Sequence, residues 1–269
     1  MLFDAGCLSM DDPYASIADL YDFTYEDFDE DVGFYDNLAQ SVDGPLLELG
    51  AGSGRVALKL AQRGYEVVGI DNSPSMLARG RKNLEAAGKL DGSLELLPGD
   101  MTTFDLGRRF AMVYVAANTF QHLLTTEEQQ ACLRRAAQHL QSGGIFAMGV
   151  RSPASVSWDT SSSYWTPLLL NWTRTDSATG EQVMKFVADH PDPERMVRRL
   201  TYVFDRVGKD GAVRRSVFET ELRHSTQAEL TLLLQQVGLR VTHVYGDYDL
   251  APVGIGEDLV FVARAEAPV

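Results

Sequence analysis

Residues 46–55 read L-L-E-L-G-A-G-S-G-R, and a second apolar run, V-V-G-I-D, ends on Asp71. No other stretch narrows the possible folds so far. An apolar run without alternation marks a strand buried on both faces, as in a parallel sheet, and residues 45–49 and 67–70 are two such runs. Gly50, Gly52 and Gly54 give a tight turn that a ligand can approach closely, because no Cβ intervenes. The helix expected over 53–63 aims its first N–H groups at that ligand. An acid about 20 residues on is placed to accept hydrogen bonds from ribose hydroxyls. Strand, turn, helix, strand and acid make half of a nucleoside-binding sheet.

The glycine spacing separates two kinds of nucleoside ligand. A dinucleotide site is spaced G-x-G-x-x-G, which leaves room for a pyrophosphate. Here the spacing is G-x-G-x-G, with Glu48 two residues ahead of Gly50. A carboxylate in that turn repels a diphosphate and suits a ligand with a cationic end. The pattern E-x-G-x-G-x-G resembles motif I of the class I S-adenosylmethionine (SAM)-dependent methyltransferases. Asp71, then Asp100 in Pro98-Gly99-Asp100-Met101, then Gly143-Gly144 follow in that family's order. The resemblance covers about residues 45–150 and continues more weakly to the C-terminus.

The 269 residues suffice for one large core plus an accessory element. No apolar run reaches the roughly 18–20 residues that span a bilayer. The start, M-L-F-D-A-G-C, has no basic n-region, so a cytoplasmic location is expected rather than secretion. Cys7 and Cys132 stand far apart, give neither a disulfide framework nor a metal spacing, and read as free thiols. No histidine and carboxylate cluster has ligand spacing, so no metal is expected.

Charge is uneven. Residues 1–54 hold thirteen Asp or Glu and no base, while the whole chain carries −14, so the other 215 residues sum to −1. Such a chain is a poor partner for nucleic acid or an anionic membrane. The acidic segment reads either as a lure for a cationic substrate or as a solvated surface.

Apolar residues at helical spacing predict two short helices between residues 13 and 40. Strands are expected at 46–49, 66–70, 94–97, 111–116 and 145–150, alternating with helices, which implies a mainly parallel sheet. Ser73-Pro74 starts one helix, and Thr125 with Glu128 forms a capping box for another. After Arg151 the pattern changes. Runs at 168–174, 182–188, 196–207 and 213–223, separated by turn residues, predict a small antiparallel layer. A helix from Ser225 or Thr226 to Val237 and a pair of strands at 241–245 and 259–263, joined by a short turn, complete the chain. The expected fold is α/β: a Rossmann-like, seven-stranded, mostly parallel sheet whose last hairpin is antiparallel. The segments are a helical cap (1–44), the core (45–151), a β insert covering the substrate (152–224), and a helix with hairpin (225–269). Sheet order 3-2-1-4-5-7-6 is what the resemblance implies.

The resemblance also assigns residues. For SAM it implies Glu48, Gly50, Ala51 and Gly52 at the turn, Asp71 at the ribose, Asp100 and Met101 around the adenine, and Asn72 and Met76 among the cofactor's other contacts. It implies backbone carbonyls of Ala116 and Ala117 at the methionine amine. Arg55, with Tyr14 and Tyr21, would meet the methionine carboxylate; their other reading is solvent exposure for the arginine and helix packing for the tyrosines. In open α/β sheets ligands sit beyond the carboxyl ends of the strands. His122 in the loop after strand 4 is thus the candidate base, and Asn118 a candidate for orienting substrate. Trp158, Tyr164 and Trp172, with Trp165, could form an aromatic acceptor wall or simply the core of the insert. Arg151, Arg223 and Tyr248 are further candidates to face the opening.

These expectations add up to a methyltransferase acting on a small molecule as a monomer or homodimer, with an amine acceptor favoured over hydroxyl or carbon. The rivals are an NAD-dependent oxidoreductase and a SAM-binding protein without catalysis.

Overall fold

A computed structural model describes residues 12–26, 28–160 and 166–266. Cys7, Tyr164 and Trp165 lie outside them, so the roles expected of these residues receive no structural account.

Asp12 caps a 3-10 turn at Pro13–Ser16, followed by helices α1 (Ala18–Thr24) and α2 (Glu30–Ala39). Strands β1 (Leu46–Leu49), β2 (Glu66–Asp71), β3 (Ser93–Pro98), β4 (Phe110–Val115) and β5 (Leu140–Arg151) alternate with helices α3 (Arg55–Gln62), α4 (Pro74–Ala87) and α5 (Thr126–His139). The insert supplies β6 (Leu169–Thr175), β7 (Gln182–Asp192), β8 (Val197–Val207) and β9 (Val213–Arg223). Helix α6 (Gln227–Gln236) and strands β10 (Leu239–Tyr245) and β11 (Asp258–Ala265) close the chain. The seven-stranded sheet has the order β3-β2-β1-β4-β5-β11-β10, and only β11 breaks the parallel direction against its neighbours. The insert forms its own antiparallel sheet, β6-β7-β8-β9. The expected fold class and strand order are therefore both present. Among the described residues no helix is long and apolar enough to cross a membrane.

The double burial of β1 follows from its neighbours. Leu47 and Leu49 face α5 and α6 with Val113, Phe146 and Met148, whereas Leu46 faces α2 and α3 with Met112, Tyr114 and Ile145. Each face is dry, so every position of β1 except Glu48 carries an apolar side chain. Tyr35 of α2, fully buried, donates its hydroxyl to the Val115 carbonyl at 3.0 Å, which satisfies the polar tip.

The acidic N-terminal segment has a structural partner. Asp31 pairs with Arg55, Asp29 with Lys59, Asp36 with Arg63 and Asp22 with Arg79. Those bases belong to α3, its C-cap and α4. The charge that reads as a lure for cations instead docks the cap onto the core. Asp22 holds three donors at once: Ser53 Oγ, Arg79 Nε and Asn83 Nδ2.

Three details differ from the sequence reading. Residues Ser142-Gly143-Gly144 do not form a turn; β5 follows α5 without a break, and a register shift beside β4 absorbs them, with Gly143 at φ 73°. Strand β7 runs on through His190-Pro191-Asp192. Its β6 neighbour stops pairing at Val187, so Pro191 faces an open edge where its missing N–H costs no ladder bond. Finally, β10 and β11 are joined by the loop 246–257 rather than a short turn. That loop carries Tyr248 back into the core.

Candidate active site

The site lies beyond the carboxyl ends of β1, β2, β3 and β4. At the end of β1 the chain turns through Gly50 (φ 68°), Gly52 (φ 56°) and Gly54 (φ 76°) into α3. A Cβ on Gly50 would meet Thr119 Cγ2 at 2.2 Å, so no larger residue fits between turn and loop. At the end of β2, Asp71 accepts from Gly52 N and Ser73 N, both at 2.8 Å. Burial raises its pKa, and the two backbone donors offset part of that. After β4, Ala117 (φ 52°) and Asn118 (φ 64°) both sit in the left-handed region before a 3-10 turn, Thr119–His122. Two such residues in succession are strained, and strain of this kind concentrates at functional sites. Gln121 anchors the loop, accepting from Arg151 N at 3.0 Å and donating to the Arg223 carbonyl at 3.1 Å.

Two cavities open here. The larger, about 440 Å³, runs from Gly50, Gly52 and Asp71 past Asn72 and Met76 to Gly99 and Met101. The smaller, about 110 Å³, lies between the cap, Ala117 and Asn118, and the inner face of the insert sheet. Tyr14, Tyr21, Thr119, His122 and Thr220 line both.

The His122 ring stands at that junction. Its Nε2 shares a 2.9 Å hydrogen bond with the Tyr14 hydroxyl, and its Nδ1 lies 3.3 Å from Thr220 Oγ1. Burial pulls its pKa down to about 4, so it is neutral at physiological pH. Burial also raises Tyr14, which stays a phenol. Both ring nitrogens are engaged, so neither stands open to the cavity as the sequence reading expected of a base.

Nine expected residues line the larger cavity: Tyr14, Tyr21, Gly50, Gly52, Asp71, Asn72, Met76, Met101 and His122. Ala117 and Asn118 line the smaller one. Ala51 and Ala116 lie buried beneath, with Ala51 N bonded to the Ile70 carbonyl and the Ala116 carbonyl accepting from Thr119 N.

The structure places the other described candidates away from the two cavities, each with partners of its own. Glu48 is 3 % exposed beneath the turn and accepts from the Tyr114 hydroxyl at 3.1 Å. Burial pushes it up to about 8. It does not reach the cavity. Arg55 is taken by Asp31 and the Phe28 carbonyl, since a buried guanidinium needs a partner. Asp100 turns back on its own loop, accepting from Thr102 N at 2.7 Å and Thr102 Oγ1 at 2.6 Å. Tyr248 packs on Phe34 and Tyr35 in the core and lines neither of the two cavities. Trp172 packs on Phe23 and Phe204 in a satellite core, and Trp158 on His224 with its N–H on the Pro153 carbonyl. Arg151 pairs with Glu257 and Asp258. Arg223 donates to the Leu124 carbonyl at 3.4 Å, one residue back from the cavity wall.

Several lining residues carry no motif: Thr119, Lys185, Tyr202, Phe218 and Thr220. Alternation on the insert strands was the available signal, since Phe218, Thr220 and Leu222 share one face.

The sequence model of the family described as "Methyltransferase domain" matches residues 46–144. That match covers less than half of the chain; with the sheet order, it makes the chain similar to the class I SAM-dependent methyltransferases. An uncharacterised methyltransferase of Synechocystis sp. is 31 % identical over 150 residues, 55 % of this chain and 64 % of that protein. A dTDP-3-amino-3,4,6-trideoxy-alpha-D-glucopyranose N,N-dimethyltransferase of Streptomyces venezuelae is 30 % identical over 135 residues, 48 % of this chain and 54 % of that protein. These matches thus span between half and two thirds of the relatives' lengths. Among solved structures, the CcbJ methyltransferase of Streptomyces caelestis aligns over 96 % of this chain and 99 % of its own, with 28 % identity and a TM-score of 0.76.

Proposed function

We propose that this protein transfers a methyl group from SAM to an amine of a small molecule, with SAM in the larger cavity and the acceptor in the smaller one. The observation that carries this reading is the common wall: Tyr14, Tyr21, Thr119 and His122 border both spaces. An in-line displacement needs donor and acceptor on opposite sides of one shared point.

The residues present fit the cofactor. The larger cavity has the size of a small-molecule site. Gly50 keeps open a space that a Cβ would close, and Asp71 presents a carboxylate fixed by two backbone donors. Asp71 and Asn72 would hold the ribose, Met76 and Met101 the purine, and the Gly50–Gly52 backbone the amino-acid end. Bound there, SAM supplies an electrophilic methyl on a sulfonium, whose carbon–sulfur electron pair leaves with the sulfur. The protein's own part is to align and to exclude water. His122 fixes the Tyr14 hydroxyl, whose oxygen keeps a lone pair for an acceptor N–H. Because His122 stays neutral, it orients rather than stores a proton, and the proton leaves to water with the product. The aromatic walls keep the amine dry and uncharged, with its lone pair free.

An amine is supported by the Streptomyces venezuelae relative, whose name describes N,N-dimethylation of an amino sugar. Calorimetric titration with S-adenosylhomocysteine (SAH) and, separately, with NAD tests the cofactor. Methyl-labelled SAM with matched amines and phenols tests the acceptor. Heat with SAH and label on amines are expected; heat with NAD alone, or label on phenols only, overturns the reading.

A further inference from the structure

The smaller cavity holds a cation for which methyl transfer itself has no use. Lys185 on β7 lines it, with its ammonium 4.6 Å from the Tyr202 ring centroid and 5.9 Å from that of Phe204. No Asp or Glu lines this cavity, and among the described residues Lys185 makes no ion pair. The charge acting on it is another cation, Arg174 on β6, which lies over Trp172 and donates to the Phe23 carbonyl. Burial first, and then Arg174, pull Lys185 down to about 8, which still leaves it mostly protonated at neutral pH. A cation kept half-dry with no counter-ion is unfavourable unless something arrives to pair with it.

We propose that Lys185 receives a carboxylate of the methyl acceptor, so that the acceptor is a compact amino acid with its amine at the Tyr14–His122 end and its acid at the Lys185 end. The proposal rests on the methyl-transfer reading above and adds the class of substrate.

The geometry sets the size. Lys185 pairs with Phe204, and Phe204 with Ser216, four residues from Thr220 on the same face of β9. At about 3.4 Å per residue and 4.8 Å per strand, the Cα atoms of Lys185 and Thr220 are about 17 Å apart. The lysine reaches in from one end, over the rings of Tyr202 and Phe204. His122, bound to Thr220, reaches in from the other. What remains is about 110 Å³. A cavity of about 150 Å³ takes benzene, whereas sites for larger ligands run to several hundred. A space of about 110 Å³ is smaller than either, so the part of the acceptor held inside it is smaller than one ring.

The test uses the full chain loaded with SAH and three probes of one shape: 4-aminobutyrate, its primary amide, and butylamine. Calorimetry is expected to show the acid binding about tenfold or more tighter than the amide, as a charge-assisted bond predicts. Lys185→Gln should abolish that preference without changing SAH affinity, and Lys185→Arg should restore it. An acid that binds no tighter than the amide, or a preference that survives Lys185→Gln, overturns the proposal. Failure of SAH itself to bind would instead overturn the cofactor reading, so the two failures are distinguishable.

Discussion

Gly50→Ala tests the junction between the glycine turn and the loop after β4. The new Cβ would sit 2.2 Å from Thr119 Cγ2, while Thr119 Cβ and Oγ1 lie at 3.4 Å and 3.7 Å, ordinary contact. Two costs add. A left-handed φ of 68° costs a side-chain-bearing residue about 1–2 kcal/mol. Forcing one methyl against another in a packed site costs about 1–3 kcal/mol more. The sum, about 2–5 kcal/mol, is a large part of the 5–15 kcal/mol typical of a folded domain, so the variant should fold but melt early. Thr119→Ser removes the clashing methyl and leaves the backbone strain. The double variant should therefore recover about 1–3 kcal/mol of the loss. Urea midpoints at constant slope measure stability, and SAH titration detects strain relieved by opening the turn. If Gly50→Ala costs less than about 0.5 kcal/mol and shifts SAH affinity less than about threefold, or if Thr119→Ser recovers nothing, the packing argument is wrong.

Asp31→Ala should destabilise the fold by about 3–5 kcal/mol, because it strands Arg55 in a site where the pair is 9 % and 0 % exposed; a loss under about 1 kcal/mol in urea melts would contradict this. Glu48 is raised to about 8 in the folded state, so it favours folding when protonated, and that contribution fades as pH rises from 4.5 through 8. Glu48→Gln should consequently gain stability over the native chain between pH 5 and pH 9, and an equal difference at both pH values would refute the buried-carboxyl account. Tyr14→Phe should lower kcat about 10–100-fold while moving the SAH Kd less than about threefold. Should both fall together, the Tyr14 hydroxyl serves the cofactor and not the acceptor. His122 should give no inflection near pH 6.5 in the rate profile, since its pKa lies at about 4; an inflection there that His122→Asn removes would show it titrating.

Much of the cofactor side was legible because its chemistry is local. A turn that needs positive φ at Gly50, Gly52 and Gly54 and an acid at the tip of β2 leaves a contiguous trace. Charged residues were read less well. Arg55 and Glu48 stand inside or beside motif I, yet both are internal, because Asp31 and Tyr114 reach them from elements distant in sequence. Asp100 has the right position and a different orientation, set by Thr102 only two residues away. Among the described aromatic residues of the insert, Trp172, Tyr202 and Phe218 share one small core, and Tyr202 and Phe218 also line the cavity.

Periodicity and turn chemistry alone determined the alternation of strands and helices, the opening glycine turn, the helices capped by Ser73 and Thr125, and the antiparallel insert, because each depends on neighbours within a few residues. Only the tertiary structure decided what the acidic N-terminal segment is for, which side chains share the two cavities, and that Tyr14, His122 and Thr220 form one chain of contacts. Those residues are 108 and 98 positions apart, and nothing in a local pattern records a contact made by folding three separate segments onto one sheet edge.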